Sequence, residues 1–155
     1  MTIVRCAVVP AGSAERLIPI LHDAEEDDDR IRAALREPGH RAYAALADGE
    51  PVAAAVVHWS RPAEILYIAV DPARRGTGIG RALLTAIQAE LPAHGHTLLV
   101  GTANCSLDNI AFYQKCGFRM HSVKRDYFDY VRPATIEYGI VMRDLLVFSY
   151  DTAAA

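Results

Sequence analysis

The chain is short of cysteine, of net charge and of long apolar runs, and each shortage removes a class of protein. Its 3 cysteines, Cys6, Cys105 and Cys116, are odd in number and fall in no C-x-x-C spacing. That excludes a disulfide framework and a zinc site; the thiols read as reduced and packed, and no metal is expected. Lys+Arg 16 nearly balance Asp+Glu 19, for a net charge of -3. A nucleic-acid binder concentrates Lys and Arg on one face, so nucleic acid is not an expected partner. No stretch approaches the roughly 18 apolar residues of a membrane span, and the opening MTIVRCAVVP lacks the basic and apolar regions of a secretory signal. The expectation is a cytoplasmic protein without a membrane partner.

What the chain does have is apolar mass. At 52% hydrophobic over 155 residues, it can bury roughly 70% of the surface that its unfolded form exposes. Disorder is excluded on the same ground. No internal repeat or linker divides it, so residues 1–150 are expected to form a single domain, with residues 151–155 as a frayed tail.

Local pattern gives the order of elements. Ile3 to Val9 is a β-branched run, and Ser13 offers an N-cap for a helix carrying Leu17, Ile18 and Leu21, bent by Pro19. The acids Glu25 to Asp29 precede a second helix with Ile31, Ala34 and Leu35, which Pro38-Gly39 closes. Two strands flanking Asp48-Gly49, Arg41 to Ala47 and Pro51 to Trp59, read as a hairpin. Glu64 to Val70 is a further strand. Ile79, Leu83, Ile87 and Leu91 then recur at helical spacing until Pro92, which is expected to stop the helix. A strand over Thr97 to Thr102, a helix from the Ser106 cap to Lys115, and strands near Arg119 to Lys124 and Ile136 to Phe148 complete the chain. The fold class is α/β (α+β), a mixed sheet with helices on its faces.

The most informative segment runs from Glu64 to Leu91, EILYIAVDPARRGTGIGRALLTAIQAEL, in which a strand passes through a glycine-rich turn straight into a helix. The backbones of Gly76, Gly78 and Gly80 can approach a ligand closely, and the free N–H groups of the helix start face outward toward an anion. Arg74, Arg75 and Arg81 add positive charge, which suits a group with more than one phosphate. Two better-known glycine motifs do not fit. A Walker A loop needs Lys where Arg81 stands and then Ser or Thr where Ala82 stands; the dinucleotide fingerprint needs glycine at Arg81.

The R-x-x-G-x-G at Arg75, Gly78 and Gly80 resembles motif A of the GNAT superfamily of acyl-CoA-dependent N-acetyltransferases. Asn109 to Phe118, NIAFYQKCGF, is similar to that superfamily's motif B, A-x-Y-x-K-x-G-F. The likeness is close over Glu64 to Phe118 and elsewhere is one of element order. It implies a mostly antiparallel sheet of about seven strands with splayed central strands, about four helices, acetyl-CoA as co-substrate and an amine acceptor. A homodimer is compatible with it.

Residue by residue, the resemblance assigns the pantetheine arm to the backbone of Ala69 and Val70 and the pyrophosphate to the main chain of Arg75, Gly76, Thr77, Gly78, Ile79 and Gly80, aided by the Arg75 and Arg81 side chains. Tyr113 matches the tyrosine placed to protonate the departing thiolate; a packed core tyrosine is the plain alternative. Many members carry Asn where this chain has Ser106, and Asn109, one turn before Tyr113, is placed to supply the missing amide contact. An acceptor amine with a pKa near 10.4 must lose a proton at a cost of about 4.6 kcal/mol at pH 7. Glu64 is the expected base by its likeness in position to the glutamate of histone-type members, with His58, Asp126 and Tyr127 as second choices. The expected function is N-acetyl transfer to a primary amine by direct attack; the alternative is a module that binds acyl-CoA and turns nothing over.

Overall fold

The computed structural model describes residues 4–152. One seven-stranded sheet organises it, in the order β1-β2-β3-β4-β5-β9-β6. The first four strands, β1 (Val4–Val9), β2 (His40–Ala47), β3 (Glu50–His58) and β4 (Ala63–Val70), form an antiparallel meander. β2 and β3 turn at Asp48-Gly49, both with positive φ (52° and 79°), as the expected tight hairpin requires. β5 (Thr97–Ala103) joins β4 in parallel, and β9 (Leu145–Asp151) enters between β5 and the edge strand β6 (Arg119–Lys124), antiparallel to both.

Small residues let helices sit close on both faces. Ala44, Ala45, Ala53, Ala54 and Ala55 are all fully buried, because β2 and β3 are covered on either side. On one face, the helix α3 (Ile79–His94) drives Leu83, Leu84, Ile87 and Leu91 into the core, beside α4 (Leu107–Lys115). On the other, a 3-10 turn (Ala11–Leu17) with the short α1 (Ile18–Leu21) and α2 (Asp28–Arg36) buries Leu17, Leu21 and Ile31 against Ala42, Ala44 and Val56.

Three expectations about elements change. Ser13 caps nothing: Pro10 opens the 3-10 turn, Ser13 N donates to Pro10 O at 2.9 Å, and Pro19 falls in the first turn of α1, where a missing N–H is harmless. Pro92 does not stop α3. Its fixed φ suits a helix and costs a single N–H so near the end; the helix runs to His94, and Gly95 N closes it on Leu91 O at 2.9 Å. The strand expected over Ile136 to Phe148 is broken. Tyr138 and Gly139, with φ of 53° and 74°, reverse the chain between β7 (Ile136–Glu137) and β8 (Ile140–Val141), a separate hairpin ahead of β9. The last strand pairs through Asp151 and Thr152 N donates to His96 O at 2.9 Å, so order extends past the expected domain end at residue 150. The frayed tail expected at Ala153 to Ala155, like Ile3 of the first strand, lies outside the described residues.

The feature that positions the site is an irregularity in β4. Val56 pairs with Tyr67 but Val57 pairs with Ile65, so Leu66 is an extra residue, a β-bulge. Ladder pairing with β5 runs over Ala63, Glu64 and Ile65 and ends there. The bulge bends β4 away from β5, and the two strands splay.

Candidate active site

Beyond Ile65, among the described residues, no strand pairs with the β5 side of β4, and a cleft of about 890 Å³ opens there. Its walls are the end of β4 (Ile68, Ala69, Val70), the glycine turn with the start of α3, and the inner face of α4. The β7–β8 hairpin closes the far side with Glu137 and Tyr138, and Asp23 reaches in from the segment after α1. The strand edge leaves amides and carbonyls open to an extended, amide-containing ligand, as in strand addition.

The turn is open rather than self-satisfied. Gly76 and Gly78 have φ of 75° and 84°, and nothing stands within 4 Å of where a side chain would begin. Gly80 serves a different need: a Cβ there would lie 3.2 Å from Phe112 Cζ and 3.3 Å from Val70 Cγ2, so its absence lets α3 start tight against β4 and α4. The first backbone bond of α3 is Ala82 N to Gly78 O, at 3.0 Å. Among the described residues, no amide from Arg75 to Arg81 donates to another backbone oxygen. This row of free donors at a helix start, with Arg74, Arg75 and Arg81 beside it, is an anion cradle. Lys115 lines the same end of the cleft.

Arg75 already has a partner. Its guanidinium is ion-paired with the Asp23 carboxylate, an exposed contact that ties the turn to the segment between α1 and α2. Thr77 does not line the cleft; its Oγ1 donates to Arg74 O at 2.5 Å and so shapes the turn. Ile79 lines the cleft and is also core, 6% exposed.

Tyr113 is 4% exposed, yet it borders the cleft. Its ring packs against Phe112, Phe118 and Phe148. Burial first, and then Cys116, push the phenol well above its ordinary range, so at neutral pH it is a proton donor and not a base. Cys116, also on the cleft, is raised by burial and partly offset by Arg81; its thiol stays neutral. Ser106 precedes α4 without a side-chain capping bond, and Asn109 Nδ2 donates to Thr102 Oγ1 at 3.3 Å; both line the cleft.

The structure thus brings together Ala69, Val70, Arg75, Gly76, Gly78, Ile79, Gly80, Arg81, Ser106, Asn109 and Tyr113. It does not bring Glu64 to them. Glu64 is exposed in the paired stretch before the bulge, opposite His58 and Leu99, and a strand rise of about 3.3 Å per residue puts it roughly 13 Å along β4 from Ile68, where the cleft wall begins. His58, Asp126 and Tyr127 are not on the cleft wall either. Sequence reasoning missed Asp23, Asp108, Glu137 and Tyr138. It also missed Asn104, whose Oδ1 accepts from Arg143 N and Asp144 N (2.8 and 3.0 Å) while Nδ2 donates to Val141 O at 3.1 Å, pinning the β7–β8 hairpin to the end of β5. Among the described residues no group of three or more His, Cys, Asp or Glu is placed to hold a metal ion, and no helix is long and apolar enough to cross a membrane.

A splayed β4–β5 pair, a glycine turn with unpaired amides and a tyrosine-bearing helix across the gap define the acyl-CoA-dependent acetyltransferase class. Residues 13–118 match the profile of the Acetyltransferase (GNAT) family, and the chain belongs to that family. It is 34% identical over 113 residues, 70% of this chain and 73% of the other, to an uncharacterized N-acetyltransferase, YvbK, of Bacillus subtilis. Among solved structures, a Bacillus subtilis acetyltransferase in complex with CoA superposes with a TM-score of 0.86 at 28% identity, covering 97% of this chain and 99% of that one. A GNAT family acetyltransferase of Elizabethkingia anophelis with acetyl-CoA bound gives 0.84 at 26% identity, over 96% and 98%.

Proposed function

We propose that the chain is an N-acetyltransferase that moves an acetyl group from acetyl-CoA to a primary amine by direct attack, with no covalent enzyme intermediate. The observation that carries this reading is the row of free amides from Arg75 to Arg81 on the same cleft that the buried Tyr113 borders. The family membership and the CoA-bound relatives support it.

Acetyl-CoA supplies the activated thioester. The chain supplies everything around it. Main-chain donors of the turn, with Arg75 and Arg81, fit a diphosphate; Asp71 N donates to Val52 O, so by strand alternation Ala69 turns its peptide groups to β3 and the edge left open at Ile68 and Val70 fits the amides of a pantetheine arm; Ser106 and Asn109 face that arm from α4. An N–H at the end of β4, that of Val70 in the first place, is positioned for a developing oxyanion. Tyr113 keeps its proton at neutral pH, and because burial raises its pKa, its transfer to the departing thiolate draws on placement rather than on acidity. A module that merely bound acyl-CoA would gain nothing from a protonated phenol at that point.

The test is a screen of amines with acetyl-CoA, following thiol release and detecting the acetylated product by mass spectrometry. Thiol release that depends on the amine, with a product heavier by one acetyl group, is expected. Tight cofactor binding by calorimetry with no thiol from any amine would favour the binding module instead.

A further inference from the structure

The cleft is bipolar. Arg74, Arg75, Arg81 and Lys115 gather at the end toward the glycine turn, and Arg81 is close enough to Cys116 to bias its thiol. The end across the splay, beside the last residues of β5, is acidic, with Asp108 on the first turn of α4 and Glu137 on the β7–β8 hairpin. Cationic residues at the first end suit the phosphates. The acids at the second end have no use for an anionic cofactor, and their chemistry points to a cationic ligand.

The three carboxylates that line the cleft are not equivalent. Asp23 is ion-paired with Arg75. Asp108 accepts the Tyr138 hydroxyl at 2.6 Å. Among the described residues, nothing hydrogen-bonds or ion-pairs with the Glu137 carboxylate. Its backbone is nonetheless fixed: the hairpin turns tightly at Tyr138-Gly139, Met142 N donates to Thr135 O at 2.8 Å, and Asn104 and the Tyr138–Asp108 bond hold it to β5 and α4. Glu137 lies beside Cys105, which follows β5; that thiol is fully buried, and burial first and Glu137 next push it up. An exposed, unpartnered carboxylate on a hydrogen-bonded hairpin therefore flanks the splay on the β5 side, across from the end of β4.

We propose that Glu137 is the proton acceptor for the incoming amine, and that the acceptor is a cationic primary amine that the acidic end of the cleft draws in. The inference rests on the acetyl-transfer reading. The nitrogen begins with three protons and ends with one. Glu137 takes the first and passes it to solvent at the open mouth; the freed lone pair then forms the N–C bond at the thioester carbonyl. As the C–S bond breaks, Tyr113 gives its proton to sulfur, the second proton passes from the nitrogen to Glu137, which has already emptied to solvent, and a proton from solvent restores the Tyr113 phenol. This assignment differs from the one expected of Glu64, which stands in the paired stretch just before the splay opens.

Three measurements on the full chain test it. With spermidine, tyramine and lysine as probe amines, Glu137→Gln is expected to lower kcat/KM for the amine by about 10²- to 10⁴-fold while acetyl-CoA affinity by calorimetry stays within twofold. Formate added to Glu137→Ala is expected to restore part of the rate. Carbodiimide labelling with glycinamide, read by peptide mass spectrometry, is expected to modify Glu137 in the free protein and to spare it when acetyl-CoA is bound. Undiminished turnover in Glu137→Gln, an equal loss of cofactor affinity, or a loss of turnover in Glu64→Gln alone overturns the assignment. If none of the three amines is acetylated, the labelling decides: protection of Glu137 supports its place at the thioester, and equal labelling with and without acetyl-CoA overturns it. Failure of the wider reading looks different, since the wild-type chain would then bind no acetyl-CoA.

Discussion

The two ends of the cleft are built in opposite ways. The basic end is one contiguous stretch, Val70 to Arg81, in which strand, turn and helix follow each other along the chain and the ligand-facing groups are mostly backbone. The acidic end is a composite: Asp108 from α4, Glu137 and Tyr138 from a hairpin, and Asn104 behind them, joined only by tertiary bonds. A contiguous site leaves a mark in the sequence because its glycines and arginines stand at fixed spacing. A composite site leaves none, and only the fold assembles it.

The two ends should also fail independently, with Tyr113 between them. Tyr113→Phe keeps the packing and removes the donor; turnover is expected to fall by about 10²- to 10⁴-fold, with acetyl-CoA affinity by calorimetry unchanged. Equal losses in both would make Tyr113 a cofactor-binding residue and join the two ends. Gly78→Val attacks the basic end alone. A β-branched residue at φ of 84° costs about 1–3 kcal/mol of strain, and relief of that strain turns amides away from the anion. CoA affinity should drop about 10- to 100-fold, on the scale of one charge-assisted hydrogen bond, with the melting temperature lowered by about 2–4 °C for each kcal/mol of strain that is not relieved.

Smaller effects sharpen the contrast. Tyr138→Phe cuts the bond to Asp108 and loosens the hairpin; a loss of about 0.5–1.5 kcal/mol predicts a KM for the amine raised two- to tenfold and a KM for acetyl-CoA left alone. Asp23→Asn frees Arg75 from its ion pair. Both side chains are roughly half exposed, 58% and 42%, so the pair is worth about 0.2–1 kcal/mol. CoA should bind about 1.5- to 5-fold more tightly by calorimetry, and the gain should vanish in an Arg75→Gln background.

The same distinction explains what was readable. Motif A and motif B are each contiguous along the chain, and the Asp48-Gly49 hairpin carries a known turn signal; all three were legible from Gly78, Tyr113 and Gly49. The bulge at Leu66 carries no residue signal, although it opens the splay and decides that Glu64 stays out of the cleft. The second hairpin was invisible because Tyr138, at φ of 53°, is not a residue that announces a turn. Pro92 misled in the opposite direction: a strong breaker by type, it lies near enough to the end of α3 to cost little. Local chemistry could be read, and the register that brings separate elements together could not.

The account stands on the unpaired amides between Arg75 and Arg81. A titration of the ¹⁵N-labelled chain with CoA, followed by amide ¹H–¹⁵N correlation spectra, tests them directly. Saturable downfield shifts clustered on Gly76 to Arg81 are expected, together with slowed hydrogen exchange at the same amides. A titration that left those resonances in place while others moved, or that moved none, would contradict it.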